Sequence, residues 1–364
     1  IFILNNFLYF FTFIFLISCS RNEGNSIENP QNQETPQNPK ILEIKGADLS
    51  FLPELRQSGV QLLNSENQTE DALLTLKKAG VNVIRLRLWK NPATPNSSFE
   101  TLKNLAQEIK SKGMKVLLSV HYSDSWADPS QQKKPQKWDH ISFASLQDSV
   151  AIYTRKIVTE INPEYIQIGN EINSGFLFPE GSIQNLSQMK TLLNVGISAV
   201  KSTNANTKVI LHFAGFQNAN SFFTNVADLN YDIIGISYYP NWHGKSLIEL
   251  QQNLEQISNS QNKPIFIAET AYPFTMSWND QTHNVIGNSS QILSEFSATE
   301  TGQKNYLLKM KELITAVPKG IGFCYWGSEW VSYKGQNATD GSSWENQAFW
   351  GFNHKILPVS EAYK

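Results

Sequence analysis

"YIQIGNEIN", residues 165–173, opens as an apolar run and closes on Asn170 and Glu171. A second run of the same build, "PIFIAETAYP" (264–273), closes on Glu269. Short apolar runs rich in β-branched residues read as buried strands. Each of these two sets a glutamate where its strand stops. Six more runs fall along the chain: "LEIKGADLS" (42–50), "VNVIRLRLW" (81–89), "KVLLSVHYS" (115–123), "KVILHFAG" (208–215), "DIIGISYYP" (232–240) and "GIGFCYWG" (320–327). Between the runs the pattern turns helical for about 10 to 18 residues at a time, and that alternation implies a parallel sheet. One helix is expected over Glu70 to Ala79, behind Thr69 and stopped by Gly80. Another runs from Phe99 to Lys112 and stops at Gly113. A third opens at Ser246 with Glu249 three residues on, the capping-box pattern. A fourth, Gln303 to Val317, sets Tyr306, Leu307, Met310, Leu313 and Ile314 on one face. Eight strand–helix units without a strong internal break predict an α/β protein, a (β/α)8 TIM barrel in a single catalytic domain over 41–364.

The strand C-terminal ends carry the chemistry of such barrels. Here polar and aromatic residues gather there: Arg85, Arg87 and Trp89; His121, Tyr122 and Asp124; Asn170 and Glu171; Tyr238 and Tyr239; Glu269; Tyr325 and Trp326. Charges inside a barrel mouth need partners or a chemical role.

The 364 residues are 40% apolar, enough for a large core, and a formal net charge of -2 with no long basic run argues against nucleic acid as partner. Aromatics make up 12%, with nine Trp, and indoles near strand ends stack well on the apolar faces of sugar rings. The two cysteines, Cys19 and Cys324, form neither a disulfide framework nor a zinc pattern. Cys324, in "IGFCYW", is expected to be a small buried apolar residue.

Residues 1–19 read as the apolar part of an export signal. The ending Leu16-Ile17-Ser18-Cys19 resembles a bacterial lipoprotein processing site, which would make Cys19 the lipidated first residue. A plain secretory signal or a membrane anchor helix is the alternative. Residues 20–40, rich in Asn, Gln, Pro and Glu, are expected to be a flexible tether. The chain is thus expected to be exported, lipid-anchored to the bacterial cell envelope at its surface, and monomeric.

Glu171 and Glu269, on the fourth and seventh strands, face each other across the predicted mouth. Glycoside hydrolysis needs one carboxylic acid to protonate the leaving oxygen and a second carboxylate to attack the sugar or to activate water. Spacing of about 5 to 5.5 Å implies the covalent, retaining route, and a wider gap implies inversion. The ordinary alternative for either glutamate is an ion pair with Arg85 or Arg87. Those two arginines share strand parity, so both are expected on one face. One of them would hold the nucleophile ionised, helped by a hydrogen bond from Tyr239 or its neighbour Tyr238. Asn170 is a candidate for a sugar hydroxyl beside the scissile bond, and His121 for substrate binding rather than proton transfer.

These stretches resemble glycoside hydrolase family 53, the endo-β-1,4-galactanases. "GADLSFLPEL" (46–55) and "HYSDSWADP" (121–129) are the most specific matches, and the resemblance spans about residues 43–352. It implies a (β/α)8 fold, a retaining mechanism needing no cofactor, and β-1,4-galactan of type I arabinogalactan as substrate. It assigns the acid/base role to Glu171 and the nucleophile role to Glu269. Asn170, Arg85, His121, Tyr239 and Trp326 fall on positions expected to line the central sugar subsite. Asp124, Trp126, Asn173 and Trp242 fall on positions of neighbouring subsites. Trp326 and Trp242 are expected to be sugar platforms, and Trp89 and Trp138 structural supports. Bacterial members often tie two late loops together with calcium. The matching loops, "NDQTHN" (279–284) and "GSSWEN" (341–346), offer oxygen ligands from Asp280, Thr282 (through its carbonyl), Asn284, Ser342 and Glu345.

Two departures stand out. Where the family usually reads Tyr-Trp-Glu-Pro-Ala-Trp after strand eight, this chain has "YWGSEW" (325–330), with Gly327 for the acid and Glu329 two residues later. Where Leu-Leu-Trp-Pro is common, it has "FLFP" (176–179), with Phe178 for Trp. Competing readings are a barrel glycosidase acting on another β-glycan, mannan or xylan, and a surface glycan-binding lipoprotein without turnover.

Overall fold

Eight strands form where the eight apolar runs lie. In the computed structural model, which describes residues 40–364, they are β1 Ile44–Asp48, β2 Val83–Leu88, β3 Lys115–Val120, β4 Tyr165–Ile168, β5 Lys208–Ala214, β6 Ile233–Ser237, β7 Ile265–Thr270 and β8 Gly320–Tyr325. Every neighbouring pair is parallel, and β1 also pairs with β8, so the sheet closes into a barrel in chain order. The expected (β/α)8 TIM barrel is therefore present, within one compact unit, Ile41–Lys364. The predicted export signal, Cys19 and the tether up to residue 39 lie outside the described residues. Among the described residues no helix is long and apolar enough to cross a membrane.

Helix starts follow the capping residues, with one change from expectation. The helix Ala72–Ala79 begins behind Asp71, whose side chain accepts the Leu74 N–H, rather than behind Thr69. An aspartate in extended backbone satisfies a free helix N–H well. Glu70 meanwhile pairs with Lys78 and accepts the Thr75 hydroxyl. Gly80, at φ 108°, ends this helix in the left-handed region that favours glycine. Ser98 caps Phe99–Ser111, and Ser246 caps Leu247–Gln261. Glu300–Ala316 starts a turn earlier than expected, behind Thr299, and buries Tyr306, Leu307, Met310, Leu313 and Ile314 as its spacing predicts.

Side-chain alternation splits the core in two. Residues such as Ile84, Leu86, Leu118 and Ile166 pack between sheet and helices. Ile44, Val83, Leu117, Tyr165, Ile210, Ile233 and Phe266 fill the barrel interior, together with Cys324, which is buried with a free thiol as expected. Two or four residues further along the strands, the inward layer turns polar: Asp48, Arg85, Ser119, Gln167, His212 and Ser237, all buried. Each such group left without a partner would cost about 1–3 kcal/mol, so this layer holds only as a connected network. Arg85 is its hub. Nε donates to Gln167 (2.8 Å), Nη1 to Asp48 (2.9 Å), and Nη2 to Ser119, Asn170 and Glu269.

Glu269 reaches this network through an irregularity in β7. Ile236 of β6 pairs with Ile267, but Ser237 pairs with Glu269, so Ala268 is skipped. Ala268 faces the barrel interior and Ile267 the helices. Strict alternation would send Glu269 outward after Ile267. The bulge turns it inward instead, a common device beside reactive sites.

Candidate active site

The polar layer opens into a cleft of about 600 Å³ at the C-terminal mouth, lined by Arg85, Arg87, His121, Asn170, Glu171, Tyr239 and Glu269. Trp126, Trp242, Trp326 and Trp344 form its aromatic walls. A more open groove of about 1060 Å³ lies on the flank, beside the helix Ala72–Ala79 and the C-terminal residues. The cleft, not the groove, holds both Glu171 and Glu269.

Glu171 stands just past β4, where the backbone reverses. Its φ is 46°, in the left-handed region, and Gly169 two residues before it sits at 84°. A glutamate there carries strain of order 1 kcal/mol, and its surroundings hold it. The Gln132 amide donates to the carbonyls of Asn170 (2.9 Å) and Glu171 (3.3 Å). The Glu171 carboxylate accepts the Ser237 hydroxyl at 2.6 Å. Glu269 is gripped more firmly: Arg85 Nη2 donates to one oxygen at 2.6 Å, and the Tyr239 hydroxyl to the other at 2.9 Å. A carboxylate oxygen of each glutamate and a ring nitrogen of His212 all lie within 4.8 Å of one another. That trio is poorly suited to a cation. His212 Nε2–H donates to the Ser237 hydroxyl while Nδ1 faces the Glu171 N–H, and Arg85 brings a fixed positive charge against Glu269.

The environments push the two carboxyls apart. Burial, reinforced by the charge of Glu269, raises the Glu171 pKa to about 8, against the Ser237 hydrogen bond and Arg85. Burial raises Glu269 too, but Arg85 and Tyr239 on its oxygens oppose the rise. Glu171 therefore keeps its proton to the higher pH. Burial, with Arg87 and Arg85 nearby, holds His121 well below its ordinary value, so the ring is neutral. Its Nδ1 accepts the Ala127 N–H at 3.0 Å, which leaves the proton on Nε2.

The predicted residues divide. Arg85, Asn170, His121, Tyr239, Trp126, Trp242 and Trp326 line the cleft with the two glutamates. It is Tyr239 that reaches Glu269, whereas Tyr238 donates to the Gly244 carbonyl. Arg87 shares the face of Arg85 but pairs with neither glutamate. Its guanidinium lies 3.9 Å from the Trp126 ring centroid and bonds Ser97. Asp124 and Asn173, expected at neighbouring subsites, are turned to loop construction. Asp124 accepts backbone N–H groups of Asn91 and Gln136, and the Asn173 amide makes a paired bond with the Ala214 backbone. Neither lines the cleft. Trp138 is buried against Tyr122 and Tyr153, as expected of a support, and Trp89 packs edge-on to Trp126.

Several residues escaped the sequence reading. Asp48, Ser119, Gln167, His212 and Ser237 make up the buried network. Each is a polar residue of inward parity inside an apolar run, a signal available from alternation. Trp344 lines the cleft, 4.4 Å between ring centroids from Trp326, and Trp330 packs behind Trp326 at 4.8 Å. The two departures also find places. Glu329 accepts the Phe51 N–H at 2.6 Å, tying the loop after β8 to that after β1. The Phe178 N–H donates to the carbonyl of Gln132, the residue that steadies Glu171.

Asp280, Thr282, Asn284, Ser342 and Glu345 are all buried where the two late loops meet. Asn284 Oδ1 and Glu345 Oε2 are buried without a hydrogen-bond partner. Burial and the charge of Asp280 raise the Glu345 pKa. Unpartnered oxygens beside crowded carboxylates fit a hard cation.

A closed parallel barrel whose mouth holds two carboxyls of divided acidity defines a barrel glycoside hydrolase. The chain belongs to glycosyl hydrolase family 53, whose sequence profile matches residues 44–362. It is 35% identical over 340 residues to an arabinogalactan endo-β-1,4-galactanase of Cellvibrio japonicus, covering 88% of this chain and 90% of the relative. It is 33% identical over 307 residues to an endo-β-1,4-galactanase of Bacillus subtilis, covering 79% and 70%. The solved family 53 catalytic domain of Ignisphaera aggregans superposes with a TM-score of 0.83 at 34% identity, covering 88% of this chain and 95% of that one.

Proposed function

We propose that this chain is a retaining endo-β-1,4-galactanase, with Glu171 as acid/base and Glu269 as nucleophile. The observation that carries the chemistry is the close carboxylate pair, with one oxygen of each glutamate within 4.8 Å of the other, near enough for the covalent route. Galactan as substrate is supported by the activities named for the Cellvibrio and Bacillus relatives.

Glu269, ionised beside Arg85, attacks the anomeric carbon while Glu171 gives its proton to the departing glycosidic oxygen. Glu171, now a carboxylate, takes a proton from water, which attacks the glycosyl–enzyme bond and frees Glu269. Asn170 offers its second amide hydrogen to the sugar beside the bond, since the first goes to the Ala127 carbonyl. Trp326 and Trp242 serve as sugar platforms, and His121 as a neutral hydrogen-bonding residue. The deciding assay compares reducing-end release from linear β-1,4-galactan, β-mannan and xylan. Galactan turnover at least tenfold above the others is expected. Preferential cleavage of mannan or xylan would overturn the substrate, and no turnover on any would overturn the enzyme.

Structural calcium is part of the proposal. Asp280, Asn284 and Glu345 would supply side-chain oxygens, with Ser342 and the Thr282 carbonyl nearby, and the ion's role would be to join the two loops. Chelation is expected to lower the Tm by roughly 5–10 °C, restored by calcium. A melting curve indifferent to chelator and calcium would remove the site. Export and lipid anchoring through Cys19 complete the reading, supported by the apolar run that precedes Ser18-Cys19. Cys19→Ser should move the protein from the membrane to the soluble fraction, and an unchanged distribution would exclude the anchor.

A further inference from the structure

We propose that Asp48 is a positioning residue for hydrolysis: it holds one arm of the Arg85 fork, aims the other at Glu269 and Asn170, and shares the cation with the nucleophile. The proposal rests on the assignment of Glu269 as nucleophile.

Asp48 ends β1 and is 2% exposed, outside the residues that line the cleft, so it acts on the sugar only through others. One oxygen takes Arg85 Nη1 at 2.9 Å. The other accepts both the N–H (3.0 Å) and the hydroxyl (2.6 Å) of Ser50. The Ser50 hydroxyl in turn accepts the Arg87 N–H at 2.8 Å, locking Asp48 to β2 as well. A guanidinium is a rigid plane. Fixing Nη1 on Asp48 and Nε on Gln167 therefore fixes where Nη2 points, toward Glu269 at 2.6 Å and Asn170 at 3.0 Å.

The arrangement also divides charge. An arginine with a single carboxylate partner would depress that partner's basicity, and with it the partner's nucleophilicity. Here two buried carboxylates share one guanidinium. Burial is the largest influence raising Glu269; Arg85 opposes it, and the anionic Asp48 adds to the rise. The groups facing Glu269 are Arg85 and Arg87 from β2, Asp48 from β1, Cys324 from β8, His212 from β5, Tyr239 beyond β6 and Glu171 beyond β4. Asp48→Asn leaves the other six in place, so a change in the acidic limb reads the charge at position 48.

The test is the pH dependence of kcat/KM on β-1,4-galactan for wild type, Asp48→Asn and Asp48→Glu. Asp48→Asn should lower kcat on the order of 10²-fold through misplacement of Arg85, with little change in KM. Its acidic limb should move to lower pH. Asp48→Glu keeps the charge but lengthens the arm, so kcat should fall while the acidic limb stays at the wild-type position. Wild-type kcat in either variant overturns the proposal, as does a fall in Asp48→Asn with an unmoved acidic limb. If Asp48→Asn does not fold, Asp48→Glu decides: reduced kcat with the wild-type limb supports the role, and any other result overturns it. Turnover retained in Glu269→Ala would instead remove the nucleophile assignment on which the proposal stands.

Discussion

Glu269→Ala should abolish reducing-end release from β-1,4-galactan while the protein still binds the polysaccharide. Deleting a covalent nucleophile costs on the order of 10⁶ in kcat, which takes galactan turnover below detection. Binding survives because the cleft's aromatic walls, Trp126, Trp242, Trp326 and Trp344, are untouched. Folding survives because Arg85 keeps Asp48 at 2.9 Å, so no buried cation is stranded. The alanine also leaves a space below the sugar that azide can enter. With an aryl β-galactoside whose leaving group needs no acid, azide attacks from the vacated side and inverts the anomeric centre. The expected product is an α-galactosyl azide, and its appearance should restore measurable aryl release. Galactan hydrolysis at more than about 1% of the wild-type rate would exclude Glu269 as the covalent partner, since that residual is far above what loss of a nucleophile leaves. Lost binding together with lost turnover would point to a collapsed cleft instead, which a shifted Tm would reveal.

The sequence carried the frame of this site further than its interior. All eight strands were legible because barrel strands buried on both faces are nearly continuous apolar runs, and their polar tails marked the mouth. Glu171 and Asn170 were visible as the end of such a tail. Glu269 was visible as a residue, but its direction was not: alternation from Phe266 and Ala268 points it at the helices, and only the bulge against Ser237 turns it inward. Residue identity encodes such an irregularity weakly, because it arises from how two strands accommodate each other. His212 and Ser237 were hidden for another reason. Each is one polar residue in a run dominated by Ile, Leu and Phe, and the run's average hydropathy masks it. Asp124 and Asn173 show what else a polar strand end can do. Polar residues at strand ends also build the loops that follow, and both have their hydrogen bonds committed to backbone groups. Trp344 sits inside "GSSWEN", a stretch read for its oxygen donors, yet the same turn that buries Glu345 carries the indole into the cleft wall.

Replacing Glu171 separates the two half-reactions. Hydrolysis of galactan by Glu171→Ala should fall by roughly 10²–10⁴-fold, the usual contribution of a positioned general acid. With an activated aryl β-galactoside the first step needs no proton, so the glycosyl–enzyme still forms. It then accumulates, because no base remains to activate water. A burst of aryl release followed by slow turnover is the expected trace. Azide relieves the block from the opposite side to the one it uses in Glu269→Ala, attacking the glycosyl–enzyme and giving a β-galactosyl azide. The anomer formed thus assigns each carboxyl its role, and an α product from the Glu171 variant would exchange them. The pH profile supplies a second reading. In the wild type Glu171 must be protonated to act as acid, and its pKa is raised to about 8 by burial and the charge of Glu269. Activity on galactan should therefore decline as pH rises through that value, when both carboxyls are ionised and the leaving oxygen has no donor. In Glu171→Gln acting on the activated substrate, the first step should lose this basic limb while keeping the acidic one, since Glu269 must still ionise. A basic limb that persists unchanged in the variant would show that a group other than Glu171 governs activity at high pH.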